Sequence, residues 1–154
     1  MDVFKRAECL RLCQQLQVHN VEITYIFILN YDGTKSKVGD LVILVTEQTI
    51  SAATKILVEG ERWFKCMTID MNECGQFFKN EYQGIKLTTG AQRGCMKKES
   101  NELLKVIQRY FTCEGMFNMV YLYHVRLLLH FTGKEAINLP YFLYRSIGKM
   151  ALII

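Results

Sequence analysis

The stretch from 106 to 150, VIQRYFTCEGMFNMVYLYHVRLLLHFTGKEAINLPYFLYRSIGKM, constrains the fold more than any other part of the chain. It is dense in large apolar and aromatic residues. Gly115, Gly133 and Pro140 cut it into helix-length pieces. Half of the 154 residues are hydrophobic, so a core can be buried and low-hydrophobicity disorder is excluded. One proline and ten glycines are too few for a linker protein. The length favours a single domain over 1–154, with a weak internal boundary in the glycine-bearing loop 80–100.

Periodicity gives the element order. Asp2 is placed to cap a helix over 3–18, where Val3, Phe4, Ala7, Leu10, Leu12 and Leu16 sit near helical spacing. Val21, Ile23, Tyr25, Phe27, Leu29 and Tyr31 then recur at every second position, which predicts a strand over 21–31. Asp32-Gly33 is a turn dipeptide, and 38–46 (VGDLVILVT) reads as the returning strand. A lone hairpin is marginal in water, so helices must cover it. Thr46 to Thr49 can start a short helix reaching 56. Glu59-Gly60-Glu61 is a turn, and Trp63 and Phe64 follow as core anchors. Asp70 can cap a helix over 71–79 that Gly75 weakens. Ser100 or Asn101 is placed to cap a helix over 102–112, and 117–131 reads as an apolar helix stopped by Gly133. Asn138 caps the last helix, with Pro140 in its first turn. The expected fold class is α+β, mainly helical: an N-terminal helix, one β-hairpin, then a C-terminal bundle of three or more helices.

The chemistry-bearing residues do not converge on a reaction. The formal charge is +4, from 19 Lys and Arg against 15 Asp and Glu. Arg93, Lys97, Lys98 and Lys105 are the candidates for contact with nucleic acid. The six cysteines contain no C-x-x-C pair; Cys9 and Cys13 share a helix face as two thiols, too few for a metal site. No metal or other cofactor is expected. His124 and His130 are six apart and lie on different sides of one helix, so they do not form a zinc pair. Nothing in the sequence brings Cys113 and His124 together for nucleophilic catalysis, and Asp70 and Glu73 suit a helix N-terminus. The stretch 88–94 (TTGAQRG) lacks both the Walker spacing and G-x-G-x-x-G. No catalytic residue is assigned, and the chain is read as a non-enzyme.

No apolar signal segment stands at the N-terminus, which predicts free thiols in an intracellular setting, cytoplasmic or nuclear. The most apolar run, 116–132, contains Arg126 and is short for a membrane span. The aromatic residues Phe117, Tyr121, Tyr141, Phe142 and Tyr144 are the candidates for protein contact. Tyr121 and Tyr123, two apart on the expected helix, would not share a face.

The phrases ATKILVEGERWFK (53–65), RYFTCEGMFNMVYLYHVRLLLHFTGKEAINLPYFLYRSIGKM (109–150) and the hairpin text ILNYDGTKSKVGDL resemble plant retrotransposon-derived open reading frames, the plant transposon proteins of unknown activity. The resemblance covers about 21–150 and brings no catalytic residues. In that group the sequence after Gly-Lys-Met continues polar and charged. Here Ala151-Leu152-Ile153-Ile154 follows, and the resemblance implies a truncated copy. The expected function is a transposon-derived, self-associating interaction module. The alternatives are nucleic-acid binding and peripheral membrane attachment through the last helix and its apolar tail.

Overall fold

The computed structural model describes residues 20–65, 71–87, 89–112 and 118–151. In chain order the elements are α1 (Val21–Leu29), β1 (Lys35–Val38), β2 (Leu41–Leu44), α2 (Glu47–Thr54), α3 (Met71–Cys74), β3 (Ala91–Gln92), α4 (Lys98–Ile107), β4 (Met119–Val120), α5 (Leu122–Phe131) and α6 (Leu139–Ala151). Short 3-10 turns follow α3 and flank β3, and α4 runs on into a π turn over Gln108–Thr112. The protein is a mainly helical α+β fold with helices at its C-terminal end. The helix expected over 3–18 lies outside the described residues.

The chain divides into two compact units. One comprises 65–135; the other joins residues up to 64 with those from 136 onward. In the first unit α5 is the central helix, with Leu122, Val125, Leu127, Leu128, Leu129 and Phe131 buried. Phe111 packs its ring against Phe131 at 5.1 Å. Arg126, itself buried, donates from Nε to Glu135 at 2.9 Å, which explains how a cation sits in so apolar a helix.

The second unit is closed by residues far apart in sequence. Trp63 is 1% exposed and stacks on Phe142 of α6, which is fully buried, with centroids 5.8 Å apart and planes 8° from parallel. Beside the stack the Glu61 N–H donates to the Ala136 carbonyl at 2.9 Å, and the Asn138 N–H donates to the Glu61 carbonyl at 2.8 Å. This approach requires glycine at position 60: φ is +90°, and a Cβ there would meet the Ala136 carbonyl oxygen at 2.7 Å. The Glu47 carboxylate is buried in the first turn of α2. It accepts from the Asn138 side chain at 2.8 Å and from the Arg62 guanidinium. Asn138 also caps α6, accepting the Tyr141 N–H at 2.9 Å on its Oδ1.

Several boundaries differ from the sequence expectation. Residues 21–29 form a helix, not a strand. Asn20 caps it, its Oδ1 accepting the Ile23 N–H at 3.1 Å, and Glu22 sits in the first turn where the dipole favours it. The apparent alternation failed because Ile26 and Ile28 fill the intervening positions, and a continuous apolar run carries no period. The hairpin is β1–β2 alone, with Val38 opposite Leu41 and a two-residue turn of Gly39 and Asp40. Gly39 at φ +60° supplies the positive first position of a II′ turn. Thr46 and Thr49 form a reciprocal capping box at α2, as that short helix required. The helix expected to run 71–79 changes to a 3-10 turn at Gly75. The helix expected from 102 begins at Lys98, where the Lys97 N–H bonds the Phe77 carbonyl at 2.9 Å rather than ending on a side-chain cap. The helix expected from 117 begins at Leu122, because Met119 and Val120 pair with Gln92 and Ala91 as strands.

Asn138 therefore holds two groups at once. Replacing it with alanine is expected to destabilise the protein by about 2 kcal/mol, about 1 for the cap and about 1 for the donor lost to Glu47. Asn138→Ser, which restores the cap alone, should recover about half of that. Urea denaturation of the three proteins measures it; equal stability of the serine and alanine variants would remove the cap from the account.

Candidate functional site

Two surfaces of the second unit stand out, a cleft and an exposed apolar helix. The first is a cleft of about 450 Å³ along α6. Tyr144, Gly148 and Ala151 line it at helical spacing, with Arg145 and Lys149 on the adjoining stripe. Phe64 lies in the same cleft, its ring tilted at 50° against Phe142 with centroids 5.3 Å apart, so the core fixes it. The opposite wall is the turn after α1, made of Tyr31, Asp32 and Gly33. The Tyr31 hydroxyl donates to the Gly33 carbonyl at 2.8 Å, and its ring stacks on Phe27 at 6.0 Å. Burial, the Tyr144 phenol and the Asp32 carboxylate, in that order, hold the Tyr31 phenol above its ordinary pKa. Asp32 turns its carboxylate to the chain: Oδ1 accepts the Thr34 N–H, the Thr34 hydroxyl and the Lys35 N–H, each at 2.9 Å. Those bonds hold Asp32 below the usual carboxylate range. Arg145 lies with its guanidinium 5.2 Å from the Phe64 centroid and donates from Nη1 to the Tyr141 hydroxyl at 3.0 Å.

The second surface is α1. Seven of its nine residues are apolar, and none of the nine is buried. Val21, Ile23, Tyr25 and Leu29 are each more than half exposed. The Ser36 hydroxyl ties the helix to β1 by donating to the Phe27 carbonyl at 2.6 Å, and Asn30 donates to the Lys37 carbonyl at 2.7 Å. On β2, Leu41, Val42 and Leu44 are also more than half exposed.

The sequence-predicted residues are distributed unevenly. Phe117 lies outside the described residues. Tyr121 belongs to the first unit, and Tyr141, Phe142 and Tyr144 to the second. Phe142 is fully buried under Trp63 and Phe64, so it packs the core and has no surface for a partner. Tyr141 is half-buried with the guanidinium of Arg62 5.3 Å from its centroid, and Tyr144 faces the cleft. Tyr121 and Tyr123 do meet, their rings stacked at 5.8 Å and 8°. Tyr121 precedes the helix in extended backbone, so the helical spacing rule does not apply to the pair. Among the basic candidates, Arg93 donates to Gln108 at 3.4 Å and Lys105 pairs with Glu102 at 2.6 Å. Lys105, Lys98 and Arg93 all lower the Glu102 pKa, with the Lys105 hydrogen bond the leading cause, so the basic group is gathered around a carboxylate. Lys97 is the N-cap residue of α4.

Sequence reasoning passed over Tyr31, Gly148 and the Arg145–Lys149 pair. The i, i+4 spacings 144–148 and 145–149 were the available signal. It also read 21–31 as a strand and so missed an exposed apolar helix.

His124 is fully buried, and one of its two ring nitrogens has no hydrogen-bond partner. Its Nδ1 accepts the Tyr121 N–H at 3.1 Å, which leaves the ring proton on Nε2, buried with no partner. The Tyr123 ring lies 4.1 Å away. Burial, and then the nearby Lys65 ammonium, pull the His124 pKa down to about 3. Among the described residues no group of three His, Cys, Asp or Glu side chains could hold a metal ion, and no helix is long and apolar enough to cross a membrane.

No protein-family model, curated protein or solved structure matches the chain.

The depressed His124 pKa sets a pH dependence. Above pH ~6.5 the ring is neutral in both folded and unfolded chains and costs nothing. Below that the unfolded chain takes up a proton that the folded one refuses. Stability should fall by about 1.4 kcal/mol per pH unit on this account, down toward the folded pKa near 3. Denaturant unfolding at pH 7 and pH 5 should show the loss in the native protein and a shallower one in His124→Leu. Parallel pH profiles would assign the slope to other groups.

Proposed function

We propose that the chain is a non-enzymatic, transposon-derived interaction module that self-associates through α1. The observation that carries this reading is an apolar helix with no buried residue. A helix that is hydrophobic all round is a buried element in a stable protein, and α1 needs a cover. Exposed apolar patches of this kind mark interaction sites.

The charges around α1 favour a second copy as that cover. Glu22 stands in the first turn of the helix, while Asn30 at its C-cap holds the backbone of Lys37. Two copies packed antiparallel about a two-fold axis would set Glu22 of each against Lys37 of the other, with the apolar residues between them. Such an interface is self-complementary, as a two-fold dimer requires. The resemblance of 53–65 and 109–150 to retrotransposon-derived reading frames supplies the ancestry in this reading and no further residues.

Nucleic-acid binding is the second reading. Its support is that Arg93, Lys98 and Lys105 lie near enough to act together on Glu102, and that carboxylate weighs against it. Its mark would be retention on DNA or RNA that weakens steeply with salt.

Sedimentation of the full chain across a concentration series tests the first reading. A dimer is expected, and Ile23→Asp with Tyr25→Lys should convert it to monomer with the thermal melt little changed, because both positions are exposed. A monomer at ~100 µM, well above a micromolar Kd, would end the proposal.

A further inference from the structure

The outer edge of β2 carries backbone groups that the fold leaves unused. The Val45 N–H donates to the Thr34 carbonyl at 2.8 Å, and the ladder alternates from there. Ser36 with Ile43, and Val38 with Leu41, exchange bonds across the hairpin. The backbone groups of Lys35, Lys37, Val42 and Leu44 therefore point outward. On β1 the outward carbonyls are taken: Lys35 accepts the Asp32 N–H at 3.0 Å, and Lys37 accepts the Asn30 side chain at 2.7 Å. On β2 the Leu44 carbonyl accepts the Thr49 hydroxyl at 2.8 Å. Among the described residues nothing pairs the N–H or the C=O of Val42, and the hairpin has no third strand.

An edge of this kind accepts an extended strand. β1 carries Lys35 and Lys37, whereas β2 is Leu-Val-Ile-Leu, without a charge. Leu41, Val42 and Leu44 are more than half exposed. Leu41 and Ile43 share the face of the hairpin on which Ser36 holds α1, but α1 packs on β1 and leaves Leu41 uncovered.

The geometry suits a second copy of this chain. Set on a two-fold axis opposite Val42 of the copy, Val42 uses both its N–H and its C=O, so the one residue with two free groups is its own complement. Leu41 then faces Ile43 of the copy, and Ile43 faces Leu41 of the copy, as apolar cross-strand pairs. Four strands about 4.8 Å apart put the two outer β1 strands about 14 Å from each other, with both α1 helices on one face. Helices pack about 8–10 Å apart, so the two α1 helices meet by leaning inward over Leu41 and Ile43. One axis then serves the strand edge and the helix, and the assembly closes at two copies.

We propose that β2 pairs edge to edge with β2 of a second copy, Val42 against Val42, in a four-stranded antiparallel sheet beneath the two α1 helices. This rests on self-association through α1 and adds the strand edge to that interface.

Amide hydrogen exchange of the full chain, read residue by residue by NMR at ~100 µM, tests it against the Ile23→Asp, Tyr25→Lys protein at the same concentration. The Val42 amide is expected to exchange at least about fivefold more slowly in the native dimer. Val42→Pro removes that outward donor from each copy and leaves the bonds to β1 in place, as proline does on an edge strand. It should raise the dimer Kd about tenfold or more in sedimentation. A dimer whose Val42 amide exchanges as fast as in the α1 variant, or a Kd unmoved by Val42→Pro, would overturn the strand pairing and leave the α1 contact standing. A native chain that stays monomeric would end both.

Discussion

The buried Glu47 carboxylate is the point on which the second unit depends. A carboxylate out of water is tolerable only with its hydrogen bonds made. Here the partners come from Arg62 and Asn138, on either side of the long excursion through the other unit. The pairing fixes the start of α2 against the start of α6. Once those are fixed, Trp63 can lie on Phe142 and the Glu61 backbone can bond Ala136 and Asn138. The aromatic stack supplies the apolar area, and the carboxylate supplies the register. The cleft inherits its shape from both, since Phe64 takes its place beside Phe142 and the basic residues ride on the helix that Asn138 caps.

The legible parts of this fold were those with local chemistry. Thr46 to Thr49 capped a helix, Asn138 and Pro140 began one, and Gly133 at φ +78° followed the end of α5. Each signal acts within a turn or two of the chain. The apolar run read as a helix ending at Gly133 is buried even at Arg126, because Glu135 stands close enough to pair with that cation. The Val21–Leu29 segment was misread for a physical reason. Apolar on nearly every side, it has no period, and the deciding signal was the single oxygen of Asn20. The start of α5 was set by pairing with Ala91 and Gln92, which no local pattern encodes.

The candidate surfaces were less legible than the fold. The aromatic residues of the last third separate by burial and by unit. Phe142 is core, Tyr144 lines a cleft, and Tyr121 belongs to a different unit. Sequence spacing gives the face of a helix a residue occupies; whether another element covers that face is decided by tertiary packing. Tyr31 and Gly148 meet across one cleft only because the turn after α1 lies beside the last helix. Among the described residues, the buried Nε2 of His124 and Oδ1 of Asn101 have no hydrogen-bond partner, and each marks a local conflict between packing and hydration.

The donor for Glu47 is 91 residues further along the chain. A ribosome delivering this polypeptide releases the acid long before its amide. Residues 65–135 form a contiguous unit whose contacts are all at hand once 135 has emerged, whereas the flanking unit must wait for the final helix. Closing so long a loop is entropically slow, so Trp63 spends the interval as nascent chain without the Phe142 ring that shields it. Chaperone demand during synthesis should therefore concentrate on the segment around Trp63.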